Sequence, residues 1–154
     1  MRGDWRKIRN LSRTEFLILA QAAALFPTVK LAQRWIRLDK LHARLRRLFG
    51  NGPKLSDDRR QPISADNVTR LVRVAARRGL VRPTCLQHAL VLWTQLHRHG
   101  FEAAIRFGVR KNQEVLEAHA WVEIDGRILS DPADAGGQFL PFDRPVISGQ
   151  VKLP

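Results

Sequence analysis

Cys85, His119 and Asp131 are the residues of this sequence whose types and order could perform nucleophilic chemistry. A thiol, an imidazole and a carboxylate form a triad when the ring takes the thiol proton and the acid orients the ring. Cys85 is the only cysteine in 154 residues. It follows Pro83-Thr84, and Leu86, Ala89, Leu90, Trp93 and Leu96 recur behind it at the spacing of one buried helical face. Thr84 fits an N-cap whose hydroxyl accepts from an orphan amide of the first turn. Cys85 then stands in that first turn, where unpaired N–H groups and the helix dipole favour an anionic sulfur. The same amides can donate to the oxyanion of an attacked carbonyl. Losing one such donor typically costs about 2.7–4 kcal/mol of transition-state stabilisation.

The imidazole and the carboxylate belong to a strand-like part of the chain. Ala118–Ile124 is β-prone, and Asp125-Gly126 is a strong two-residue hairpin turn. Arg127–Asp131 is expected to return as the partner strand until Pro132 ends it. With Ile124 facing Arg127, His119 falls across from position 132, and Asp131 sits one step off that register. A bulge or a bend at the strand end would let its carboxylate hold Nδ1–H. Cys85 is thus the expected nucleophile, His119 the base and Asp131 the orienting acid. Trp121 shares the sheet face of His119 and reads equally as a substrate-contacting wall that excludes water or as core.

Each residue also has a plainer reading. A lone cysteine is often a small buried hydrophobe, a strand histidine is often structural, and an aspartate before proline is often a turn residue. The three together, in triad order, favour catalysis. Cys85-x-x-His88, with His97 and His99 at the far end of the same helix, invites a zinc reading. Structural zinc takes four ligands and only one thiolate is available, so no metal is expected. His88 remains open as an alternative base, though no carboxylate partner is evident for it; His42 reads as surface. Asn67, Gln87 and Gln95 are all conceivable second oxyanion donors, and the sequence does not choose among them.

The pattern C-L-x-x-A-L-x-L-W, then R-F-G-V-R, then A-H-A-W-V-E-I-D-G-R-I-L-S-D resembles the transglutaminase-like cysteine peptidases of lasso-peptide biosynthesis. It is similar to their standalone, split form, which has no leader-recognition domain of its own. The resemblance is strong over residues 80–132 and looser over the helical N-terminal half. It implies Cys85 as nucleophile, His119 as base and Asp131 as orienting acid, with no cofactor. It implies cleavage of a ribosomally made precursor at the leader–core junction, together with a separate leader-recognition protein and an ATP-dependent lasso cyclase. Acyl transfer to an amine, as in true transglutaminases, would use the same triad.

Those residues need a scaffold, and the composition permits one. A 44% hydrophobic content supports a globular fold, and a lone cysteine excludes an internal disulfide and suits the cytoplasm. No signal-peptide pattern is expected at the N-terminus, and the longest nearly apolar run, Phe16–Phe26, falls short of the roughly 20 residues of a membrane span. The net charge of +13 is uneven: residues 1–84 carry 20 Lys/Arg against 6 Asp/Glu, and residues 85–154 carry 7 against 8. A basic nucleic-acid-binding module is therefore a further alternative, but no recognition motif accompanies the arginines.

Ser12 and Glu15 form a capping box for a first helix expected to stop near Pro27. A second is predicted over Thr28–Phe49, with Leu31, Trp35, Leu38, Leu41, Leu45 and Leu48 on one face. Trp35 and Trp93 read as core anchors. Ser64 caps a third, Ala65–Arg78, with Gly79 at its C-terminal end, and the nucleophile helix runs from Cys85 to about His99. Ala103–Val109 reads as a strand, 110–116 as a loop, and 132–154 as irregular with one short strand. The expected fold is α+β, transglutaminase-like or papain-like: N-terminal helices, then a nucleophile helix packed on a small antiparallel sheet. Residues 1–62 would form the helical region and 63–154 the peptidase core, the two making one compact unit.

Overall fold

A computed structural model describes residues 11–49, 63–112, 115–129 and 139–141. The chain forms helices α1 (Arg13–Ala32), α2 (Leu38–Phe49), α3 (Ala65–Arg78) and α4 (Cys85–Arg98). The strands are β1 (Ala104–Asn112), β2 (Val115–Ile124), β3 (Arg127–Ile128) and β4 (Leu140–Pro141). They make one antiparallel sheet in the order β3-β2-β1-β4. The architecture is α+β, as the sequence predicts.

Helix α4, which begins at Cys85, is the centre of the fold. Every residue of α4 from Ala89 to Leu96 is buried, and a helix apolar on all sides must be covered on all sides. Helices α1, α2 and α3 pack on it, and β2 and β1 cover it from the sheet side. The ridge Ile18, Ala22, Phe26 and Val29 of α1 joins Val68, Leu71, Val72 and Ala75 of α3 in the same core cluster as Leu90, Leu92 and Leu96. Each large side chain so buried contributes about 1.5–3 kcal/mol over an exposed one.

Two helix expectations are corrected. Pro27 does not stop α1, which runs on to Ala32. The ring is on the exposed side of the helix, so the carbonyl left without an N–H donor faces water, and Thr28 Oγ1 donates to the Ala24 carbonyl at 2.8 Å. At 20 residues α1 is long and apolar enough to cross a membrane by length and composition, where an interrupted 11-residue run was expected. In this fold one of its faces is part of the core.

The expected helix Thr28–Phe49 is in fact two pieces. The chain turns between Ala32 and Leu38, with Arg34 and Trp35 donating to the Leu31 and Ala32 carbonyls in tight turns. Leu31, still within α1, is on that helix's exposed side, and the turn carries Trp35 off the apolar face. Trp35 is 82% exposed rather than a core anchor, whereas Leu41, Leu45 and Trp93 are buried.

The Asp125-Gly126 turn forms with both residues at positive φ, 49° and 77°, the conformation a tight hairpin requires. Ile124 pairs with Arg127 in the expected register. Beyond β3, Leu129 N–H donates to the Val122 carbonyl at 2.9 Å and continues that ladder. The expected loop over 110–116 is mostly strand, because Arg110 lies directly across from Glu117 and its Nε donates to Oε2 at 2.6 Å. The short strand expected in the C-terminal stretch is β4, paired with β1 at Gly108 and Val109.

Candidate active site

Thr84 is extended, and its hydroxyl accepts from Gln87 N–H at 3.3 Å while Gln87 Oε1 accepts from Thr84 N–H at 3.1 Å. This reciprocal box fixes the first turn of α4, where Cys85 sits half-buried. Gln87 then donates through Nε2 to Gln33 Oε1 at 2.9 Å. Gln33 is the C-cap of α1, so the thiol-bearing end of one helix is tied to the end of another.

His119 is placed by the sheet. It pairs across β1 with Gly108, and its ring stacks on Phe139 with centroids 5.0 Å apart. Trp121 lies on the same face, its ring 6.2 Å from the imidazole and 18° from parallel. A Cβ at position 108 would come within 2.8 Å of the Trp121 ring and 2.7 Å of the Leu140 carbonyl. Gly108 is therefore what lets Trp121 lie flat and β4 dock. Trp121 Nε1 donates to Glu123 Oε1 at 2.7 Å, and Glu123 Oε2 accepts from Arg106 at 3.1 Å. Arg110 completes the group, with its guanidinium carbon 4.6 Å from the Phe139 ring centre.

Cys85 and His119 line one cavity of about 540 Å³, together with His88, Arg73, Arg77 and Arg82. Residues from the start of α4 and from the middle of β2 thus meet at the same space despite 33 intervening positions in the sequence. Thiol, imidazole and helix-start amides around one opening can bind a carbonyl, attack it and protonate a leaving amine.

Asp131 lies outside the described residues. Trp121 is not among the lining residues: it is buried, with 4% of its surface exposed, and supports the imidazole from behind rather than reaching the cavity. His88, left open as an alternative base, does line the cavity and stacks on Phe26 at 6.2 Å. None of the three amides considered as oxyanion donors lines it. Asn67 donates to Glu15 at 2.8 Å, Gln87 is engaged in the cap, and Gln95 is fully buried.

The arginines and Phe139 were not legible as site residues. Arg73 and Arg77 look like the solvated face of a basic helix, and Phe139 stands in a stretch without a motif.

Residues 23–142 match the transglutaminase-like superfamily domain. The chain belongs to the transglutaminase-like superfamily. No curated protein and no solved structure is significantly similar to it. Transglutaminase-like domains are generally catalytic, acting as cysteine proteases or acyltransferases. The matched span takes in α4, with Cys85 at its start, and β2 with His119, the two elements that meet at the cavity.

Proposed function

We propose that this transglutaminase-like protein is a cysteine endopeptidase that removes the leader from a ribosomally made lasso-peptide precursor. The observation that supports it best is the meeting of Cys85 and His119 in one cavity, at the start of a capped helix. In this reading Cys85 Sγ attacks the carbonyl of the leader–core bond as His119 takes its proton. The bond to the core nitrogen breaks, His119 protonates the departing amine, and the leader stays on sulfur as a thioester. Water, deprotonated by His119, then releases the leader acid and restores the thiol. Asp131 is assigned to orient the imidazole. A separate leader-binding protein would deliver the precursor, and a cyclase would use the freed amine.

The test is cleavage of a candidate precursor, followed by mass spectrometry, with and without a leader-binding protein. Cys85→Ala and His119→Ala should each lower cleavage by at least about 10³-fold while circular dichroism stays unchanged, in line with removal of a member of such a unit. Undiminished cutting by either variant would refute the assignment. Transfer to an amine shares every step up to the thioester. Adding a primary amine and weighing the products separates leader acid from leader amide.

A further inference from the structure

We infer that the cavity holds a carboxylate-recognition subsite, formed by Arg82 with Arg73 and Arg77, that selects an acidic side chain beside the scissile bond. This rests on the peptidase reading for its substrate but not for its geometry. Arg73 and Arg77 sit four residues apart near the C-terminal end of α3, so they project from one face of that helix, with Ala76 between them on the cavity wall. Arg82 joins them from the segment that leads into α4.

Among the described residues no Asp or Glu lines the cavity, and the first turn of α4 contains no acid. The positive end of the helix dipole therefore adds to three guanidinium groups in the same direction. The contrast with Arg70 on the same helix is informative. Arg70 faces away toward Glu15, which it meets at 3.2 Å. Arg73 and Arg77 also interact within the protein. Arg82 is exposed and makes no hydrogen bond or ion pair among the described residues. Guanidinium groups match carboxylates geometrically, and Ala76, Pro83 and Ala120 supply apolar surface beside them.

Cys85 is a built-in reporter. Iodoacetate and iodoacetamide alkylate a thiolate by the same displacement of iodide, and they differ in one negative charge. We expect the ratio of their rates at Cys85 to exceed the ratio for glutathione by at least about tenfold, the low end of electrostatic focusing in a charged cleft. Arg82→Gln and Arg77→Gln should each lower that excess by about threefold or more. Arg34→Gln removes the same charge from an exposed position outside the cavity and should leave it unchanged.

In a second arm, a blocked hexapeptide containing two glutamates should slow iodoacetamide labelling of Cys85, and its glutamine counterpart should not. A rate ratio equal to that of glutathione would overturn the proposal. So would equal losses in Arg82→Gln and Arg34→Gln, or equal protection by the two peptides. None of these readouts needs a leader to be cut, so failure here leaves the peptidase reading to stand or fall on precursor cleavage alone.

Discussion

Gly108 governs how close two different groups can come to β1. The Trp121 ring and the Leu140 carbonyl both occupy the space a methyl group would need. Neither is the flexible end of a side chain, so a substitution must move a rigid ring or a strand. Gly108→Ala should destabilise the fold by about 1–3 kcal/mol, the usual cost of forcing atoms into a filled site. Because Trp121 lies beside the His119 ring, the same change should disturb the imidazole. Urea unfolding gives the first effect, and the rate of precursor cleavage gives the second. A variant as stable and as active as wild type would show that neither Trp121 nor β4 depends on the missing side chain.

At the level of the elements, the start of α4 is the piece that the proposed chemistry depends on most. Thr84 and Gln87 satisfy each other's backbone N–H groups, and the Gln87 amide reaches α1 through Gln33. Thr84→Ala should cost about 1 kcal/mol of stability, a fall of about 2–4 °C in Tm for a domain of this size. Cleavage should fall with it, and Thr84→Ser should restore both, since serine supplies the same oxygen. Loss of stability without any change in cleavage would make the cap structural only.

This end of the chain was also the most legible from sequence. Local chemistry determines it: a threonine cap, an apolar face at helical spacing, and a two-residue turn that sets the register of β2 against β3. What sequence could not show depended on surroundings. Pro27 reads as a stop, yet it is harmless on an exposed helix face, where the orphaned carbonyl meets water. Trp35 reads as core because it continues a helical spacing, yet the turn at residues 33–37 breaks that spacing. Arg110–Asn112 reads as loop because its pairing with β2 is a cross-strand property. Phe139 comes to His119 from about 20 positions later in the chain, and no local pattern announces it.

At the scale of the whole molecule, the helical layer is joined partly by one carboxylate. Glu15 accepts from Ser12 N–H at 2.9 Å, from Asn67 at 2.8 Å and from Arg70 at 3.2 Å, so the cap of α1 is fastened to α3. The Asn67 amide and the Ser12 backbone N–H, with Arg70 adding to them, hold this carboxyl below its ordinary range. A carboxyl whose folded value is depressed stabilises the fold above its unfolded value of about 4.3, and that contribution is lost as pH falls through the folded value. Glu15→Gln should therefore be less stable than wild type at pH 7, by about 1 kcal/mol. The gap should close in acid, below the folded value. Urea midpoints for the two proteins at neutral and acid pH give the comparison, and a gap independent of pH would remove Glu15 from the account. The uneven charge also takes a definite form at this scale: part of the positive excess of the N-terminal half lies along the cavity wall, on α3 and just before α4.

The most direct test of the central claim is to catch the acyl group on sulfur. Wild-type protein mixed with precursor, quenched in acid within the first turnover and weighed intact, should carry an adduct equal to the leader mass less one water. Peptide mapping should place it on Cys85, and the adduct should be absent from His119→Ala. Cleavage that proceeds with no such adduct and at an undiminished rate in Cys85→Ala would contradict the account.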